Sequence, residues 1–287
     1  MDMVLSVKKL KVEYPSFVLG ELDFDLHRGE IVGLIGENGA GKTTTIKAIM
    51  GMIVPSAGAV FYNGKQVGEK EIPAFRQAVG YVGDAELYYA RIKVKQILQF
   101  LSELYVDWDL ELMERYIKTF KLDVEKKIIE LSAGMRVKLE LVMALSHHAE
   151  IYLLDEPTSG LDPIARSEIL KVLRKLKNEE QKTILFSSHI TSDIDKIGDR
   201  VMYMVGGKLV LDKRIEEIRE DFVKIRPNAD ATLAEVHENG GIMVEDGIVF
   251  YGMNMEEDFR TRIEGDIVSV TVEDVLFYYN RGAGAYE

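Results

Sequence analysis

Residues Ile31–Thr43 read IVGLIGENGAGKT, and a helix-compatible stretch, Thr44–Met50, follows. Ile31–Ile35 is a short apolar strand that runs into Gly36–Thr43, the pattern G-x-x-x-x-G-K-T. A strand, a glycine loop and a helix in that order suit a triphosphate. Successive backbone N–H groups of Asn38, Gly39, Ala40, Gly41, Lys42 and Thr43 can wrap the β-phosphate, and the helix start adds its positive end. Gly36, Gly39 and Gly41 let the backbone come close without a Cβ in the way. Lys42 is expected to neutralise β/γ charge and the Thr43 hydroxyl to ligate Mg2+, with Thr44 beside them in the same nucleotide site.

A second apolar strand, Ile151–Leu154, ends in two carboxylates, Asp155 and Glu156. At the carboxyl end of a buried strand beside a phosphate loop, Asp155 can hold Mg2+ through water. Glu156 is then placed to polarise the water that attacks the γ-phosphate. Thr183–Phe186 is a third such strand, and the near-continuous apolar runs predict parallel strands covered on both faces. Between them Asp162-Pro163 starts a helix whose inward stripe is Ile164, Ile169, Val172, Leu173 and Leu176. Strand–helix–strand order makes the core α/β.

On either side of the loop, Leu22, Phe24 and Leu26 alternate with acidic residues, and Asn63-Gly64 predicts a type I′ hairpin between Ala59–Tyr62 and Lys65–Val67. The start is therefore mostly antiparallel sheet. From about Lys93 to His148 the spacing is helical. Val201–Val205 and Lys208–Leu211 read as another hairpin. Beyond it come a charged helical piece, RIEEIRED, short strand candidates at Phe222–Ile225, Ile242–Val244 and Ile248–Tyr251, and a last apolar segment, Val268–Tyr279.

Thirty-six basic against 48 acidic residues leave a net charge of −12, which disfavours a nucleic-acid partner. Absence of cysteine excludes disulfides, thiolate metal sites and cysteine catalysis. No run approaches the roughly 18–20 apolar residues that cross a bilayer, and MDMVLSVKKLKVEY lacks the apolar core of a signal peptide, so a soluble intracellular protein is expected.

Together these motifs resemble the nucleotide-binding subunit of ATP-binding cassette (ABC) transporters, in that family's order and over residues 1–215. Tyr14 sits where the family stacks an aromatic on adenine. LSAGM, Leu131–Met135, resembles the LSGGQ signature, SGLD, Ser159–Asp162, the loop after the catalytic glutamate, and His189 the switch histidine. The resemblance implies a P-loop NTPase core with an antiparallel β subdomain and a helical signature subdomain, about residues 87–148. Residues 216–287 would be a small C-terminal α+β appendage.

The implied activity is hydrolysis of ATP with Mg2+, catalysed through Lys42, Glu156 and His189. Ser132 and Gly134 would face the γ-phosphate held by a second nucleotide-binding subunit. The subunit would power a separate integral-membrane permease from the cytoplasmic face of the cell membrane. LSxGM followed by Arg136 resembles the exporter branch. VGYVGD, Val79–Asp84, aligns with the glutamine loop, with Asp84 as the metal-side residue in place of glutamine. Tyr88, Tyr89, Ile92 and Val94 either lie where the permease would dock or form buried core of the helical subdomain, and VEDVLFYY resembles a C-terminal element of exporter-type subunits. A soluble ATP-gated regulatory or assembly module of the same superfamily, without a transport partner, is the alternative, and a sensor that binds ATP without turnover is a third reading, given Asp84 and the altered signature.

Overall fold

The computed structural model describes residues 2–83, 91–227, 233–251 and 265–283. Its first half runs β1 (Met3–Tyr14), β2 (Phe17–His27), β3 (Ile31–Gly36), α1 (Lys42–Ile49), β4 (Ala57–Tyr62), β5 (Lys65–Gln66), α2 (Ile72–Gln77) and β6 (Val79–Val82). Strands β2-β1-β4-β5 form an antiparallel sheet, and Leu22, Phe24 and Leu26 all point into its core. Asn63 and Gly64 both have positive φ, 46° and 76°, as a type I′ turn requires.

The helical stretch divides into α3 (Val94–Leu104), α4 (Leu110–Phe120) and α5 (Ala133–Leu145). Then come β7 (Ile151–Leu154), α6 (Pro163–Glu180), β8 (Thr183–Ser188), α7 (Thr191–Ile197), β9 (Arg200–Val205) and β10 (Lys208–Arg214). The central sheet is ordered β10-β9-β3-β8-β7-β6, parallel except for the β9–β10 hairpin.

Both faces of this sheet are covered, which explains the unbroken apolar runs. Ile31, Ile35, Tyr152, Leu154, Ile184 and Phe186 face the layer of α5, α6 and α7. Val32, Leu34, Ile151, Leu153 and Leu185 face α1 and the antiparallel sheet. Asp162 caps α6, accepting from the Ile164 and Ala165 N–H groups. One expected inward residue is misplaced: Ile164 is 75% exposed. The buried stripe is Ala165, Ile169, Leu170, Leu173 and Leu176, because 164 lies five residues before 169 and so off its face.

Of the two readings of Ile92 and Val94, buried core holds: Val94 is fully buried at the start of α3 and Ile92 packs against the same core. Asp84, Tyr88 and Tyr89 lie outside the described residues.

The remaining elements are α8 (Ile215–Asp221), β11 (Phe222–Pro227), α9 (Leu233–Glu238), β12 (Gly241–Val244), β13 (Gly247–Tyr251), β14 (Gly265–Val268) and α10 (Val272–Ala283). A third, antiparallel sheet has the order β12-β13-β11-β14. The apolar segment Val268–Tyr279 is not one element: β14 ends at Val268 and α10 begins at Val272. The break is a reciprocal cap, in which Asp274 accepts from the Thr271 N–H and hydroxyl, while Thr271 Oγ1 accepts from the Asp274 N–H. One face of the sheet closes a small core of Ile225, Val236, Ile248 and Phe250. Val272 and Val275 of α10 join the main core, and the Val272 N–H donates to Asp195 of α7.

Lys224 on β11 is buried between Asp274, at 2.9 Å, and Asp246, at 2.5 Å. Burial alone would lower its pKa, but hydrogen bonds to both carboxylates outweigh that and raise it. Lys224→Met should therefore cost about 3 kcal/mol, because it strands the buried Asp274 carboxylate. Urea unfolding checks this; a loss below about 0.5 kcal/mol would remove the pair from the stability of the third sheet.

Candidate functional site

Strands β3, β8 and β7 are parallel neighbours, so their carboxyl ends share one edge of the central sheet. Chain leaving those three ends supplies the phosphate loop, His189, and Asp155 with Glu156. In open α/β sheets ligands bind at this edge.

The loop between β3 and α1 is held by short contacts. The Ala40 N–H donates to the Glu37 carbonyl at 3.1 Å, and the Gly207 N–H to the Ala40 carbonyl at 3.0 Å. Gly41 ends the loop at φ 107°, a conformation that excludes a side chain, and a Cβ there would meet Leu19 Cδ1 at 2.7 Å. At Gly36 a Cβ would sit 2.6 Å from the Met204 carbonyl oxygen. These two glycines are thus needed for the protein's own packing under the loop; only Gly39, at φ 86° with open space beside it, faces outward.

Lys42 is 5% exposed and reaches back along the loop. Its Nζ donates to the Gly36 carbonyl at 2.6 Å and the Glu37 carbonyl at 3.3 Å, and lies 3.4 Å from Glu156 Oε1. The other Glu156 oxygen, Oε2, is 2.8 Å from His189 Nδ1. A carboxylate can only accept, so Nδ1 carries the proton and Nε2 is left to face outward on a half-exposed ring. Glu156 Oε1 is buried and makes no hydrogen bond. Backbone strain marks the same residue, whose φ is 50°.

Asp155 is oriented by a residue that the sequence did not single out. Ser187 donates its hydroxyl to Asp155 Oδ1 at 2.5 Å and accepts from the Glu156 N–H at 2.9 Å. The available signal was the pair of serines in FSSH, two hydroxyls ending an apolar strand just before the histidine.

An open cleft of about 590 Å3 runs from Tyr14 and Phe17 past Asn38, Gly39, Thr43 and Thr44 to Glu156. That volume lies in the usual range for small-ligand sites. Tyr14, 41% exposed, forms one wall, and Phe17 beside it was likewise not foreseen. The glycine loop's amides, one buried ammonium and an unbonded carboxylate oxygen fit a triphosphate and the water that attacks it. For Mg2+ the fitting groups are the Thr43 hydroxyl and the Asp155 oxygen not taken by Ser187. No cluster of three or more His, Asp or Glu able to hold a metal occurs among the described residues.

Ser132 and Gly134 do not line this cleft. Ser132 caps α5, accepting from the Met135 N–H at 3.3 Å, and both Ser132 and Ala133 are exposed. Gly134 packs so near Leu161 that a Cβ would lie 2.9 Å from its Cδ2. His147 is buried between the Val79 and Met143 carbonyls, and burial lowers its pKa; His148 contacts Asp109.

The ABC transporter family model matches residues 19–159. The ABC transporter ATP-binding protein YtrB of Bacillus subtilis is 29% identical over 82% of this chain and 80% of its own. The bacitracin transport ATP-binding protein BcrA of Enterococcus faecalis is 33% identical, over 77% of this chain and 72% of its own. A solved ATP-binding subunit of an ABC transporter superposes with a TM-score of 0.68 at 28% identity, covering 76% of this chain and 92% of that one. Likeness that extends so far beyond the phosphate loop is more than a shared loop, and the chain belongs to the ABC transporter family as one of its ATP-binding ATPase subunits.

Proposed function

We propose that this subunit closes with a second nucleotide-binding subunit around two Mg-ATP and drives a separate integral-membrane permease of the exporter type. The observation that carries the hydrolytic part is the clasp of Glu156 between Lys42 and His189 at the mouth of the phosphate loop. Lys42 exchanges its carbonyl partners for β/γ-phosphate oxygens. Glu156 Oε1, buried and without a hydrogen bond, takes a proton from the attacking water, and His189, its Nδ1–H donated to Glu156, accepts from that water at Nε2 and positions it. Thr43 and Asp155, together with Asp84, would hold Mg2+, which would supply charge neutralisation at the phosphates. Tyr14 stacks on the base.

Exposure of Ser132 and Ala133 at the start of α5 supports a role outside this chain's own cleft. Their hydroxyl and N–H groups, with Gly134, complete the partner's site at a helix N-terminus. Separation of the two subunits after hydrolysis rocks the permease. All the residues given chemical roles lie within residues 1–215, which form the cassette, and the third sheet begins at Phe222 in the accessory region 216–287.

The relative named for bacitracin transport supports a transport partner; in this reading the permease is an exporter and the subunit works on the cytoplasmic face of the cell membrane. No helix among the described residues is long and apolar enough to cross a membrane. Purifying the tagged chain from detergent-solubilised membranes tests the assignment. A stoichiometric integral-membrane protein is the expected companion; recovery with ribosomes alone would replace transport by regulation.

A further inference from the structure

We infer that Thr158, Asp193 and Arg166 are positioning residues that hold Glu156 and His189 at their working separation, an inference that rests on reading those two as the hydrolytic pair. Glu156 and His189 both lie just past the ends of adjacent strands, β7 and β8, where no sheet ladder fixes them any longer. Glu156 carries a strained left-handed backbone and His189 is 48% exposed at its side chain. Such a pair stays 2.8 Å apart only if the surroundings over-determine it.

Behind the pair the two departing loops are stitched together. Two residues after Glu156, the Thr158 hydroxyl donates to Asp193 Oδ2 at 2.7 Å; Asp193 lies four residues after His189, in the first turn of α7. Arg166, near the start of α6, donates through Nε to Asp193 Oδ1 at 2.6 Å and through a second nitrogen to Ser192 Oγ at 2.8 Å. Thr158 is 1% exposed and Asp193 fully buried. A buried carboxylate is tolerated when both oxygens find donors, and here they come from two different segments. For folding alone the ion pair with Arg166 would suffice to settle the charge. The Thr158 hydroxyl does something else: it ties the loop carrying Glu156 to the helix that follows His189, so one loop cannot shift without the other.

Thr158→Val removes the hydroxyl at nearly constant volume, and Thr158→Ser keeps it. With histidine ring carbons labelled and His189 assigned from His189→Gln, Glu156→Gln should change the His189 signals in the parent chain and in the Thr158→Ser background. In the Thr158→Val background that response should be largely lost. Turnover of ATP should fall about tenfold or more in Thr158→Val, because small misplacements of a reacting pair are costly. The KM for ATP should stay within about twofold, and Thr158→Ser should restore turnover. Should Thr158→Val lose its cooperative melting, Arg166→Lys serves instead, since lysine cannot serve Asp193 and Ser192 as a fork. A His189 response undiminished by either variant overturns the inference while leaving the hydrolytic reading intact. Stitching with no ATP hydrolysis by the parent chain would instead remove the hydrolytic reading alone.

Discussion

Replacing Lys42 by alanine is expected to weaken ATP binding about a hundredfold or more while leaving the fold intact. The ammonium is almost wholly buried, yet its neighbours are two carbonyl oxygens and one carboxylate oxygen 3.4 Å away. Such a cation is held in readiness for a larger negative charge than the protein provides. Truncating one partner of a desolvated charge pair costs about 2–5 kcal/mol, and each 1.4 kcal/mol is about tenfold in affinity. The chain's net charge of −12 raises the stakes, since among the described residues lining the cleft Lys42 is the one cationic side chain. Titration calorimetry with Mg-ATP measures the effect directly. Unchanged affinity would defeat the assignment of the loop.

Glu156→Gln should separate binding from chemistry. Glutamine keeps the shape of the side chain and can still accept a hydrogen bond from His189 Nδ1, so the clasp stays closed. What it cannot do is take a proton from water at Oε1. Loss of a general base is worth about a hundredfold to ten-thousandfold in turnover. Phosphate release should fall in that range, ATP should stay bound, and an ATP-held dimer should accumulate on size-exclusion chromatography. Hydrolysis at the parental rate would remove Glu156 from the catalytic role.

The chemistry of the central sheet was legible because it is local. A strand, a glycine loop with one lysine and a helix are contiguous, and the carboxylate pair sits directly after an apolar run. Both hairpins were readable from turn residues alone, Asn63-Gly64 and Gly206-Gly207. Contacts between distant segments were not. Ser187 bridging Asp155 and the Glu156 N–H, or Thr158 reaching Asp193, depends on strand order, which no local pattern encodes. Ile164 misled because an apolar residue at a helix start looks like part of the stripe until the register is fixed by Ala165 and Ile169. At the C-terminus, Val268–Tyr279 looked continuous because hydropathy carries no sign of a cap. The break depends on Thr271 and Asp274 exchanging hydrogen bonds.

A crystal structure of the Glu156→Gln chain grown with excess Mg-ATP tests the central claim most directly. The account predicts the β-phosphate ringed by the amides of residues 38–43, the Lys42 ammonium turned from the Gly36 carbonyl onto phosphate, and Ser132 of a second copy facing the γ-phosphate. A nucleotide bound away from that loop, or Lys42 still on the Gly36 carbonyl beside a bound triphosphate, would contradict it.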